Sequence, residues 1–156
     1  MNSDVVSFAS LAPAYPELAL AAGILVLLLA GVLFKRDRHT LIAGASIVLL
    51  VAVLLVLLVS PTDTLFNGGF ISDEFSRYMK ALVLGGSALA LVLSHSAASH
   101  NGLDKFEYSI LVLLATLGMM AMVSANDLMT LYVGLELQSL SLYVIAAIKR
   151  DDPKAT

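Results

Sequence analysis

The sequence predicts an all-α integral membrane fold of five transmembrane helices, N-terminus outside and C-terminus inside, and three observations predict it. Apolar residues make up 59% of the chain and charged residues 13%, with a mean hydropathy of +0.91, well outside soluble usage. The apolar residues gather into five stretches, each long enough to cross about 30 Å of hydrocarbon. Basic residues collect on one side: Lys35, Arg36, Arg38, Lys105, Lys149, Arg150 and Lys154 fall on alternate connections, against only Arg77 and Lys80 on the other. The net charge of -3 gives no basic surface for nucleic acid. With no cysteine, disulfides and ordinary iron–sulfur ligation are excluded, so redox chemistry is expected on a partner.

Met1 to Tyr15 carries Asp4 but no Lys or Arg, so the basic start of a signal peptide is missing and no cleavage is expected. Pro16 and Glu17 suit a first helical turn, proline by its fixed φ and the acid by the positive helix N-terminus. The first span is then 18–34, closed by Lys35, Arg36, Arg38 and His39. The second, 41–59, is free of charge and rich in Leu and Val, and reads as a lipid-facing structural helix. From Ser60 to Glu74 the residues Pro61, Asp63, Asn67, Gly68 and Gly69 mark the longest loop, in which Phe70 and Ile71 form a short strand or lie among headgroups.

The third span, 75–93, has Arg77 and Lys80 in its first turns, read as snorkelling anchors in preference to a supporting charge deeper in the membrane. Ser94 to Glu107 is a polar connection whose His95 and His100, lacking a third ligand, make weak metal candidates. The fourth span, 108–123, ends in Met119, Met120 and Met122, read as packing. Ser124 to Asp127 is a tight turn, with Asn126 or Asp127 as N-cap of the fifth span, so the last two spans form an antiparallel hairpin.

The candidate functional residue lies in that fifth span, 128–148. Glu136 is flanked on both sides by mostly uncharged residues, which places it near mid-membrane, where insertion scales charge an acid about 2.5–3.5 kcal/mol. An acid kept there marks an ion or proton site facing protein or a wet cavity. Met129, Tyr132, Glu136, Ser139 and Tyr143 recur at intervals of three and four and share one helix face, with Thr130, Gly134, Gln138 and Ser141 on the opposite one. Two polar faces predict a helix surrounded by other helices. Tyr132, Ser139 and Tyr143 are candidates to hydrogen-bond the carboxylate or hold transfer waters.

Residues 116–150, TLGMMAMVSANDLMTLYVGLELQSLSLYVIAAIKR, resemble the fourth and fifth transmembrane helices of the subunit N family of bacterial proton-pumping NADH:quinone oxidoreductase, respiratory complex I. SDEFSRYMKALVL, 72–84, also resembles that family, while residues 1–60 match it only in hydropathy. The resemblance implies the N-terminal part of an antiporter-like inverted-repeat bundle in the bacterial inner membrane. It also implies a proton path through the acid matching Glu136, which that family pairs with a lysine on a seventh helix, beyond the helices of this sequence. NADH, FMN, iron–sulfur clusters and quinone are then expected on partner subunits, with other membrane-arm subunits and the lipid bilayer as partners. The sequence stops before the sixth helix, so it is expected to be a piece of a longer subunit. Two other readings stay open: a scaffold in which Glu136 is paired statically, and an Mrp-type cation/proton antiporter subunit.

Overall fold

The computed structural model describes residues 8–33, 39–101 and 106–148. It contains five helices long and apolar enough to cross a membrane. A 3-10 segment, Phe8–Ala14, leads into α1 (Tyr15–Leu33) and α2 (His39–Val59). A two-stranded hairpin, β1 (Asp63–Leu65) and β2 (Phe70–Ser72), is followed by α3 (Glu74–Asn101), α4 (Phe106–Ser124) and α5 (Leu128–Ile148). In hydrocarbon only a helix satisfies every backbone group within its own segment, which is why Leu- and Val-rich runs settle as helices whatever their intrinsic propensity. The third helix is longer than its hydropathy suggested: the polar stretch from Ser94 continues as helix to Asn101 and takes His95 and His100 with it. The side chains of both histidines lie outside the described residues, as do Phe34 and all seven basic residues on which the expected orientation rests.

Helices α1 to α4 form a ring in which each packs on its sequence neighbour and α4 returns to α1. Its core combines Leu20 and Ile24 of α1, Leu50, Val53 and Leu57 of α2, Leu84 and Leu91 of α3, and Ile110, Leu113 and Met120 of α4. Helix α5 stands outside this ring against α4, the most extensive helix–helix contact in the chain. Two glycines explain the closeness. A Cβ on Gly118 would stand 2.7 Å from both the Gly134 carbonyl and the Gln138 nitrogen, and one on Gly134 would stand 2.9 Å from the Gly118 carbonyl. Backbone meets backbone there, as small residues allow in membranes.

The hairpin pairs Asp63 with Ser72, Thr64 with Ile71 and Leu65 with Phe70. Its turn runs through three left-handed residues, Phe66, Asn67 and Gly68, of which only Asn and Gly adopt that backbone readily. Phe70 also bridges to Ala125, Asn126 N–H donates to the Gly69 carbonyl (2.9 Å), and the Asn126 side-chain amide donates to the Gly68 carbonyl (2.7 Å). The α2–α3 excursion is thereby stitched to the α4–α5 turn, and Phe70 and Ile71 are strand residues.

Asp127, and not Asn126, caps α5: its Oδ1 accepts the Thr130 N–H at 2.6 Å, while Asp73 accepts the Ser76 N–H at 2.7 Å to start α3. The Thr130 backbone N–H, then its hydroxyl, holds the Asp127 carboxyl below the usual 3.8, and Ser76 does the same for Asp73. A lowered folded-state value means stabilisation that is present above the unfolded value and lost as pH falls through the folded one. The Tm gap between the parent and Asp127→Ala, measured in detergent, is therefore expected at pH 6 and should close as pH falls through the lowered value of the Asp127 carboxyl. A gap that persists unchanged at the acid end would mean that Asp127 acts through something other than its charge.

Candidate functional site

The face predicted on α5 exists, but it points away from α4. Gly134 and Ser141, on the opposite face, are buried, with Gly134 against Gly118, whereas Met129, Tyr132 and Tyr143 are exposed. Glu136 and Ser139 are half-buried. Glu136 makes no hydrogen bond or ion pair among the described residues, and Tyr132, Ser139 and Tyr143 share its face without bonding it. The expectation of a surrounded helix is therefore corrected for the described residues. The glycine contact seats one face of α5 on α4, and no other helix of the five covers the other.

A second ionisable site lies inside the ring, and the sequence reading missed it. Lys80 Nζ sits 2.5 Å from Glu17 Oε1, with the lysine side chain fully buried and the glutamate side chain 11% exposed. Lys80 is the seventh residue of α3, about 9 Å along the axis from its start, close enough to the surface to invite the snorkelling reading. That reading fails for two physical reasons. The Phe70 ring lies over Nζ, 4.9 Å to its centroid, in place of water, while Glu17 supplies a countercharge across the bundle. Glu17, expected only to favour the α1 helix dipole, is thus the lysine's partner.

Arg77 does reach the surface, but as a cap. It donates to the Ser60 carbonyl at the end of α2 (2.5 Å) and pairs with Glu74 at 3.4 Å. The missed signal is a period: Ser76, Lys80, Leu84, Ser87 and Leu91 recur at three and four and are all buried, so Lys80 sits on the inward stripe of α3. Further along the helix the stripe continues polar, with Ser87 bonded to Thr116 (2.7 Å) and Ser94 to Tyr108 (2.9 Å). Among the described residues no three His, Asp or Glu side chains gather as a metal site.

No family model matches the chain. Over its whole length it is 46% identical to NADH-quinone oxidoreductase subunit N of Methylobacterium nodulans and 44% identical to that of Parvibaculum lavamentivorans, spanning 33% of each. Over 94% of its length it is 50% identical to the subunit N of Rhodospirillum rubrum, spanning 31% of that protein. The chain thus spans about a third of the length of the curated relatives it matches.

Proposed function

The chain belongs, over the third of their length that it spans, to the NADH-quinone oxidoreductase subunit N family, and on that premise we propose that it is part of a proton-translocating subunit of the membrane arm. Glu136 is the protonatable residue. The observation that carries this reading is a carboxylate midway along an apolar 21-residue helix, on a face its own bundle leaves without a partner. A cation approaching that face from elsewhere in the assembly stabilises the carboxylate, and its withdrawal favours the protonated form. A remote redox step then changes proton occupancy by moving one charge. Tyr132, Ser139 and Tyr143 on the same face serve as hydroxyls for proton or water relay.

In this reading the chain is multi-pass in the bacterial inner membrane, with the hairpin and the α4–α5 turn on the outer side, because the basic residues collect at the other end. NADH, flavin, iron–sulfur clusters and quinone reside on partner subunits. This chain contributes no redox step.

The test is the proton-to-NADH ratio of inverted membrane vesicles carrying the assembled complex, parent against Glu136→Gln at matched assembly. Glutamine keeps shape and hydrogen bonding and cannot titrate. The expected outcome is a lower ratio with assembly intact; an unchanged ratio returns Glu136 to a structural role.

A further inference from the structure

Two buried side chains of opposite charge in contact are an inefficient way to hold helices together. Removing both charges from water costs more than one contact returns unless further hydrogen bonds fill the remaining valences, and an apolar pair of equal size is often no less stable. Here the further bonds are missing. Apart from their mutual contact, neither Glu17 Oε2 nor Lys80 Nζ has a hydrogen-bond partner among the described residues. The pair lies at the hairpin end, beneath Phe70, and Ser124 Oγ at the end of α4 is likewise buried without a hydrogen-bond partner among the described residues. The Asp73 carboxylate, in water at the start of α3, is near enough to be influenced by the Lys80 charge.

We propose that Glu17 and Lys80 form a second proton-exchange site, separate from Glu136, which Phe70 covers and which opens to water at the hairpin end when Phe70 moves aside. The proposal rests on the reading of the chain as part of a proton-translocating subunit. The internal step conserves charge: one Lys80 Nζ–H bond breaks, its electrons stay on nitrogen as a lone pair, and the proton forms an O–H bond on Glu17. The ammonium–carboxylate pair becomes an amine and a carboxylic acid, with no net charge created in the apolar interior. With Phe70 aside, the acid hands its proton to water, and the amine regains one from water to restore the pair. The site is a proton store with one cover.

Phe70 is suited to that task because it is held from two sides. Its strand pairs with Leu65 and its backbone bridges to Ala125 at the start of the α4–α5 turn, so a shift of α5 reaches the cover directly. A rearrangement at Glu136 on α5 and access to the Glu17–Lys80 pair are thereby linked through one turn.

The experiment uses the assembled complex in inverted vesicles and compares the parent with Glu17→Gln, with the neutral double variant Glu17→Gln/Lys80→Met, and with Glu136→Gln. The readouts are assembly, proton-to-NADH ratio and the solvent deuterium isotope effect on coupled turnover. The expected result is that the double variant assembles, since the proposed cycle itself visits an uncharged pair, yet shows a lower ratio and an altered isotope effect. An assembled double variant with parental ratio and isotope effect overturns the proposal. So does a double variant that cannot assemble, because a fold intolerant of the neutral pair cannot pass through it. If Glu136→Gln leaves the ratio intact while the double variant lowers it, the Glu136 assignment falls and this one stands. A parent complex that moves no protons removes the underlying reading instead.

Discussion

Lys80→Met alone is expected to destabilise the helix ring by about 3–5 kcal/mol, the cost of leaving a buried partner charge uncompensated. Methionine fills much of the volume of the lysine stem, so packing accounts for little of the loss. The loss comes from Glu17, only 9% exposed and left without its cation at the far side of the bundle. The second substitution should therefore be restorative: Glu17→Gln added to Lys80→Met recovers most of the stability, so the coupling in a double-mutant cycle reaches or exceeds about 3 kcal/mol, the upper end of the usual range. Unfolding of the purified chain in detergent, followed by circular dichroism, measures all four corners. Additive effects would show that the two charges do not sense each other.

Gly118→Val is expected to separate α5 from α4. The added Cβ meets the Gly134 carbonyl and the Gln138 nitrogen, backbone atoms that cannot rotate aside as the end of a side chain does. Overpacking of a close contact costs about 1–3 kcal/mol, and a contact between two main chains belongs at or beyond the upper end. Gly118→Ala already places the offending atom, so it should show a large part of the same loss. In contrast, alanine at Gly85 or Gly86 meets nothing within 4 Å and should leave stability unchanged or slightly raised. A Gly118→Val protein as stable as the parent, with α5 still protected from protease, would show that the crossing yields more easily than its geometry implies.

The number and order of the helices were legible because the bilayer reduces the question to length and hydropathy, and charge-free runs such as 41–59 leave no competing choice. The shared face of Tyr132, Glu136, Ser139 and Tyr143 was legible for a related reason, since helical periodicity follows from the spacing alone. Which way that face points was not. Orientation depends on where a neighbour can approach most closely, and that was decided by Gly118 and Gly134, residues sixteen apart whose meeting no single-helix pattern expresses. The Glu17–Lys80 pair escaped for the same reason. Each residue had a sufficient local explanation, a helix dipole for one and an interfacial anchor for the other, and only the closing of the ring set them against each other. Phe70 and Ile71 stood between strand and headgroup until the α4–α5 turn supplied the second edge that makes a three-residue strand worth forming.

The stitching of the hairpin to the α4–α5 turn also constrains how the chain is made. Asn126 can bond Gly68 and Gly69 only after both loops have been delivered to the same side of the bilayer. The hairpin leaves the ribosome well before the turn does, so its tip must wait there with open carbonyls, in water, while two more helices are threaded. The two loops meet only when α3 and α4 have each crossed the bilayer once, so the Asn126 contacts close late and lock a pair of helices that are already threaded.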